Sequence, residues 1–224
     1  ALSEAPEDEL LKLWEGLGYY NRVRNMQKAA RVIVSEYGGD FPADYEKLLS
    51  LPGLGHYTAG AVSSIAFGIP MPAVDGNVLR VLSRVTASYE DVLKQSVKTA
   101  MEAEVKKIIP ADRAGDFNQA LIEIGAIVCV PNGKAKCEIC PLAFLCEAYK
   151  KGIVDELPKK KVKKERRIED RTILILKEGD RVGIRKRPSK GLLAGLYELP
   201  GLEGHLSEEE VLAQVKAWGY APLR

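Results

Sequence analysis

Four cysteines confined to eighteen consecutive residues constrain this 224-residue chain more than any other feature. Cys129, Cys137, Cys140 and Cys146 follow the spacing C-x7-C-x2-C-x5-C, and the chain has no other cysteine. A disulfide framework would spread its cysteines along the chain, so the grouping points to a metal site in a reducing, cytoplasmic setting. A structural zinc site usually comes as two paired knuckles separated by a long loop. One CxxC with two flanking thiols in so short a stretch suits a compact [4Fe–4S] cluster, with zinc as the alternative. The expected role is structural: the loop between the first two cysteines carries Gly133, Lys134 and Lys136, where basic residues can meet phosphate.

Residues 1–155 read as nearly all helix. Apolar residues recur on one helical face at Val23, Met26, Ala30, Ile33 and Tyr37, at Val97, Met101, Val105 and Ile108, and at Phe117, Leu121, Ile124 and Val128. Val74 to Val85 is richer in apolar residues all round, which suits a more buried helix. Residues 156–170 form a Pro- and Lys-rich linker containing KKKVKKERR (159–167), read first as a solvated tether and second as a phosphate contact. Beyond it, 172–177 and 181–185 flank Glu178-Gly179-Asp180 and predict a β-hairpin. Ser207 with Glu210 predicts a capping box opening a helix that runs to Trp218. Residues 171–224 therefore read as the start of a second, α+β domain.

The formal net charge of +2 argues against a general polyanion binder. No stretch approaches the roughly 18 apolar residues of a membrane span, and the acidic opening ALSEAPEDELLKLW is not a secretory signal. The chain opens on Ala1 and stops at WGYAPLR without a structural close, so sequence is expected to be missing on both sides.

Residues 45–67, YEKLLSLPGLGHYTAGAVSSIAF, predict a short helix, a tight turn and a second helix. Gly53 and Gly55 let the backbone approach a ligand, and the amides at the start of the second helix, from His56 on, make a phosphate site. The bland reading is an ordinary helical hairpin with a glycine cap. A clamp of this kind fixes register on a duplex but reads no sequence.

The order of hairpin, PAVDGNVLR (72–80) and cysteine run resembles the HhH-GPD superfamily of DNA glycosylases. LWEGLGYYNRVRN (13–25), LPGLGHYTAGAV (51–62), VDGNVLRVLSR (74–84) and FNQALIEIGA (117–126) resemble the MutY-type adenine glycosylases within it. The resemblance implies a mainly α helix-hairpin-helix/iron–sulfur domain over 1–155, the linker at 156–170, and an incomplete Nudix-like domain over 171–224. It implies a monomer that excises adenine opposite 8-oxoguanine or guanine in double-stranded DNA. Asp75 matches the family's ionised aspartate, which stabilises an oxocarbenium-like sugar, and Asn77 a neighbour that positions it. By itself Asp75 also reads as a helix N-cap. Tyr57 stands where endonuclease III-like relatives carry a Schiff-base lysine; a phenol forms no imine, so a monofunctional glycosylase is implied. Tyr19 matches a side chain that wedges into the base stack, with core packing as the alternative. Gln119 matches a contact to the flipped adenine, with a solvated helix glutamine as the alternative.

The chain departs from the family pattern in three places. No Gln-Gln-Thr signature with its protonated glutamate occurs, so the general acid, worth roughly 10²- to 10⁴-fold in rate, is expected to be absent. The first cysteine gap has seven residues where six are expected. No Nudix-box arrangement of glutamates is found, which argues against nucleotide hydrolysis. The rival readings are an endonuclease III-like glycosylase/lyase and a lesion-binding module without catalysis.

Overall fold

The computed structural model describes residues 1–161 and 168–221. Residues 162–167 of the basic linker lie outside the described residues, so neither reading of that stretch is addressed. The chain divides into two compact units, Ala1–Val162 and Lys163–Arg224. Among the described residues no helix is long and apolar enough to cross a membrane.

The first unit is helical. Helix α1 (Glu7–Leu13) leads to α2 (Asn21–Tyr37), the hairpin helices α3 (Tyr45–Ser50) and α4 (His56–Phe67), α5 (Gly76–Val85), α6 (Gln95–Ile108) and α7 (Ala114–Glu123). A π-helical turn over Ile124–Val128 continues α7, and the short α8 (Glu147–Lys150) follows the cysteine run. Two apolar cores hold these elements. Ala29 and Ile33 of α2 pack with Leu48, Leu51 and Ala59 of the hairpin. Val78, Leu79 and Val81 of α5 pack with Val74, Val92, Val105 and Leu121.

The predicted faces of α2 and α6 are corrected in part. Val23 and Ile33 are buried, but Met26 and Ile108 are exposed. On α2 the buried face runs instead through Gln27, whose amide donates to the Leu2 and Ala5 carbonyls at 3.3 and 2.7 Å. A satisfied polar side chain thus takes the place that periodicity assigned to an apolar one.

In the second unit the predicted long hairpin is also corrected. Strand β1 (Arg171–Ile173) pairs antiparallel with β6 (Gly201–Glu203), thirty residues downstream in register Arg171↔Glu203. The hairpin itself is confined to β2 (Lys177–Glu178) and β3 (Arg181–Val182), extended by one bond from Gly183 N to Leu176 O. Strand β4 (Arg185–Lys186) pairs with β5 (Tyr197–Glu198). Thr172 explains the switch. Its hydroxyl donates to the Gly204 carbonyl and accepts from the Leu206 amide, binding the start of the run to a distant segment. Helix α9 (Glu208–Ala217) opens on the predicted Ser207/Glu210 capping box and ends at Trp218.

Candidate active site

The hairpin forms as the turn residues dictate. Asp44 caps α3 by accepting from Lys47 N at 2.9 Å. Gly53 has φ +83°, and a Cβ there would lie 2.5 Å from Asn25 Cβ, so only glycine fits this turn. Gly55 is the N-cap of α4 and offers no side chain to it. Among the described residues no bond satisfies the amides of His56, Tyr57 and Thr58, which open a twelve-residue helix. That is a concentration of free N–H groups at the positive end of a helix dipole. His56 and Tyr57 are both exposed there.

Asp75 caps α5. Its Oδ1 accepts from the amides of Asn77 and Val78, both at 2.8 Å, and its Oδ2 accepts from Asn77 Nδ2 at 2.9 Å. The N-cap reading is therefore correct as structure, and it leaves the carboxylate half-exposed at the positive end of α5. The Asn77 amide is oriented from behind: its Oδ1 accepts from Arg80 Nη2 at 2.8 Å. Because a guanidinium only donates, this fixes which end of the amide faces Asp75.

Arg80 and Arg84 were missed as site residues. Both lie inside the apolar run 74–85 and are only 6% and 5% exposed. Arg80 Nε donates to the Cys129 carbonyl and Nη2 to the Gly125 carbonyl, each at 2.7 Å. Burial pulls the Arg80 pKa down, and Arg84 adds to this, against the opposing effect of Cys129 and Asp75. Arg84 donates to the Leu157 carbonyl at 2.9 Å and approaches Cys129 Sγ at 3.2 Å. The available signal was two arginines four residues apart where a buried helix should be apolar, a pattern that demands specific partners.

Asn118, beside the family-matched Gln119, is likewise passed over by the sequence resemblance. It is 1% exposed and makes three bonds. Its Nδ2 donates to Ser64 Oγ at 2.8 Å and to the Met71 carbonyl at 2.9 Å, and its Oδ1 accepts from Ala73 N at 3.0 Å. One side chain on α7 thus fastens the loop that delivers Asp75 to the helix that carries Tyr57. Gln119 itself is exposed, with Nε2 turned back to the Gly115 carbonyl at 3.3 Å.

Tyr19 is 77% exposed with φ +48°, a strained conformation for an aromatic residue. The Trp14 indole holds the loop by donating to the Gly18 carbonyl at 2.8 Å, and the Arg22 guanidinium lies 4.9 Å from the Tyr19 ring centre. Core packing is excluded for Tyr19, whereas Tyr20 is half-buried.

Cys129, Cys137, Cys140 and Cys146 are free thiols that line one cavity together with Arg84 and apolar neighbours such as Val81 and Leu142. Burial pushes the Cys137 thiol up, as do Cys129, Cys146 and Cys140 beside it, against the pull of Arg84. Among the described residues, no three His, Cys, Asp or Glu side chains converge closely enough to hold one metal ion.

A helical hairpin, an aspartate capping the next helix and a cysteine loop bonded to that helix define a class. The family model for the HhH-GPD superfamily base excision DNA repair proteins matches residues 1–110, and the chain belongs to this family. The chain is 34% identical to adenine DNA glycosylase of Homo sapiens, covering 97% of this chain and 49% of that protein. It is 36% identical to adenine DNA glycosylase of Buchnera aphidicola subsp. Baizongia pistaciae (strain Bp), covering 89% and 56%. A non-covalent endonuclease III–DNA complex superposes with TM-score 0.57 at 34% identity, over 68% of this chain and 69% of that one. The chain spans about half the length of the curated relatives it matches.

Proposed function

We propose that this chain is the catalytic core of a DNA glycosylase that removes adenine mispaired with 8-oxoguanine or guanine, by hydrolysis without strand cleavage. One observation carries the reading: the Asp75 carboxylate caps α5 in a loop that Asn118 fastens to the helix bearing Tyr57. Its similarity to adenine DNA glycosylases and to a DNA-bound endonuclease III supports the substrate class.

In this reading the free amides at the start of α4 grip a phosphate and set the register. Tyr19 fills the gap left as adenine rotates out, an unstacking that costs a few kcal/mol and less at a mispair. Gln119 meets the flipped base by turning its amide from the Gly115 carbonyl. The C1′–N9 bond breaks, adenine leaves with the bonding electrons and gains a proton, and the positive charge on the sugar faces Asp75. Water then adds to C1′ and releases a proton. Fixed in place by three donors, the Asp75 carboxylate needs no rearrangement as that charge develops. Asp75, Asn77, Tyr57 and Gln119 supply no acid for the proton that adenine gains, so it is drawn through solvent and balances the one that water releases at C1′. Tyr57 offers a hydroxyl near the sugar and no amine, so no imine forms.

The four cysteines fit a [4Fe–4S] cluster: all are free, all face one cavity, and an arginine donor reaches one sulfur. When bound, such a cluster supplies a rigid cross-link for the loop bearing Lys134 and Lys136, and no step of the excision. The second unit is read as Nudix-like and as the part that recognises 8-oxoguanine; its support is the resemblance of its sequence.

The test is incubation of excess protein with a duplex carrying A opposite 8-oxoguanine. Strand breaks at that adenine only after hot alkali, and none in an A:T duplex, are expected, formed roughly 10²- to 10⁴-fold more slowly than by a glycosylase that carries the general acid. Breaks without alkali, or borohydride trapping of the protein on DNA, would instead favour the glycosylase/lyase. Tyr57→Lys is expected to gain the borohydride adduct that the parent protein lacks.

A further inference from the structure

The hairpin contains one polar contact that the clamp reading leaves unused. Tyr45 Oη lies 2.9 Å from His56 Nδ1, joining the first residue of α3 to the first residue of α4 across the turn. Tyr45 is a half-buried member of the core formed by Ala29, Ile33, Leu48, Leu51 and Ala59, so its ring is anchored. Burial raises the Tyr45 pKa, as do the charges of Glu102 and Glu46, so its hydroxyl keeps its proton throughout the neutral range. His56, by contrast, is exposed, and its Nε2 bonds to nothing among the described residues.

We propose that Tyr45 is a positioning residue for DNA binding: its hydroxyl donates to His56 Nδ1 and so dedicates His56 Nε2–H to a backbone phosphate oxygen. The proposal rests on the clamp reading above and adds to it a residue and a direction for one proton. A neutral imidazole carries a single N–H, and the nitrogen that keeps it is set by the bond made at the other. With Nδ1 accepting from Tyr45, the hydrogen resides on Nε2. The ring is then held on the residue that opens α4, whose first three amides are free among the described residues, and adds one side-chain donor to that helix start. An exposed histidine without this anchor would divide its time between tautomers and rotamers, and only part of the population would offer a donor to phosphate.

Tyr45→Phe removes the hydroxyl and keeps the anchored ring, so it is the decisive change. The probes are a duplex with A opposite 8-oxoguanine and an undamaged duplex of equal length, bound to the full chain at fixed salt and followed by fluorescence anisotropy. Tyr45→Phe is expected to weaken both duplexes about threefold to tenfold, the span of one neutral hydrogen bond. His56→Ala should do the same, and the double variant should be no weaker than His56→Ala alone. The chain has two histidines, so nitrogen-15 spectra of labelled protein can be assigned by comparison with His56→Ala. They should show His56 protonated at Nε2, and a mixture of tautomers in Tyr45→Phe.

Wild-type affinity in a Tyr45→Phe protein with an unchanged melting temperature overturns the proposal while leaving the clamp intact. Additive losses in the double variant, or a His56 proton on Nδ1, do the same. A wild-type chain that binds neither duplex overturns the clamp and this inference together. A Tyr45→Phe protein of lowered melting temperature is decided by the double variant: a binding loss that adds to that of His56→Ala marks a purely structural tyrosine and overturns the proposal.

Discussion

Replacing Asn118 by leucine separates a structural role for α7 from a chemical one. Leucine has the branched skeleton of asparagine but bulkier methyl ends and no polar atom, so all three bonds of Asn118 vanish at once. Ser64 Oγ retains a bond to the Ala61 carbonyl, at 3.3 Å, and is not stranded. The Ala73 amide and the Met71 carbonyl are left facing an apolar side chain. A buried polar group without a partner costs about 1–3 kcal/mol. Ala73 is fully buried and Met71 half-buried, so the first should cost near the middle of that range and the second less. The sum is about 2–4 kcal/mol, a large share of the roughly 5–15 kcal/mol that holds a domain folded. Urea denaturation followed by circular dichroism would read it as a lower midpoint at constant slope. The loop carrying Asp75 should also loosen, so single-turnover adenine release per folded molecule should fall. Gln119→Ala, one residue along and exposed, should change stability by less than about 0.5 kcal/mol and lower only adenine release. An unmoved midpoint in Asn118→Leu would refute the energetic reasoning. A lowered midpoint with wild-type release per folded molecule would refute the positioning role.

Gly125→Ala would put a Cβ 2.6 Å from Asn77 Cβ and 2.9 Å from its carbonyl oxygen, so about 1–3 kcal/mol of overpacking is expected. Adenine release should fall with it; an active, fully stable variant would show that the contact relaxes. Iron and acid-labile sulfide assays on protein purified without oxygen should return about four of each per chain, the content of one [4Fe–4S] cluster. Cys137→Ser should lower both, and zinc in their place would reverse the assignment. In the second unit, the bond from the Ser207 amide and then that from its hydroxyl hold Glu210 below the usual carboxylate range. A folded-state value that is depressed gives support that is complete at neutral pH and lost as pH falls below the ordinary glutamate value of about 4.3. Protection factors of the amides at the start of α9, corrected for the intrinsic slowing of exchange in acid, should therefore fall, and unchanged protection down to about pH 3 would refute the capping contribution.

What local chemistry specifies was legible in the sequence. The Ser207/Glu210 box, the Gly53 turn and the Asp75 cap each depend on residues within a few positions of one another. The helices were legible too, but their faces less so, because Gln27 displaces Met26 through carbonyls more than twenty residues upstream. Thr172 was assigned to a hairpin on local pattern, whereas its hydroxyl answers to Gly204 and Leu206. The bonds that fasten the separate segments of the candidate site to one another are of this long-range kind. Asn118 reaches Ser64, Met71 and Ala73; Arg80 reaches Gly125 and Cys129; Arg84 reaches Leu157. Periodicity and spacing carry no information about such partners. What the sequence does carry is the anomaly of polar and charged residues inside apolar stretches, which requires that partners exist without saying where.

Gly60 lies where α4 meets the segment leading to Asp75, and a Cβ there would fall 1.9 Å from the Pro72 carbonyl oxygen. Backbone rests on backbone at that point, so no smaller neighbour can make room for a larger one. Exposed positions on α4 such as Ile65 can drift freely over generations, and the turn can trade one side chain for another. On the proposed function, the hairpin that grips the strand and the carboxylate that acts on it have no such independence. Grafting one onto a different version of the other would require the same bare contact to be rebuilt, so the two halves of the site are inherited as a single part.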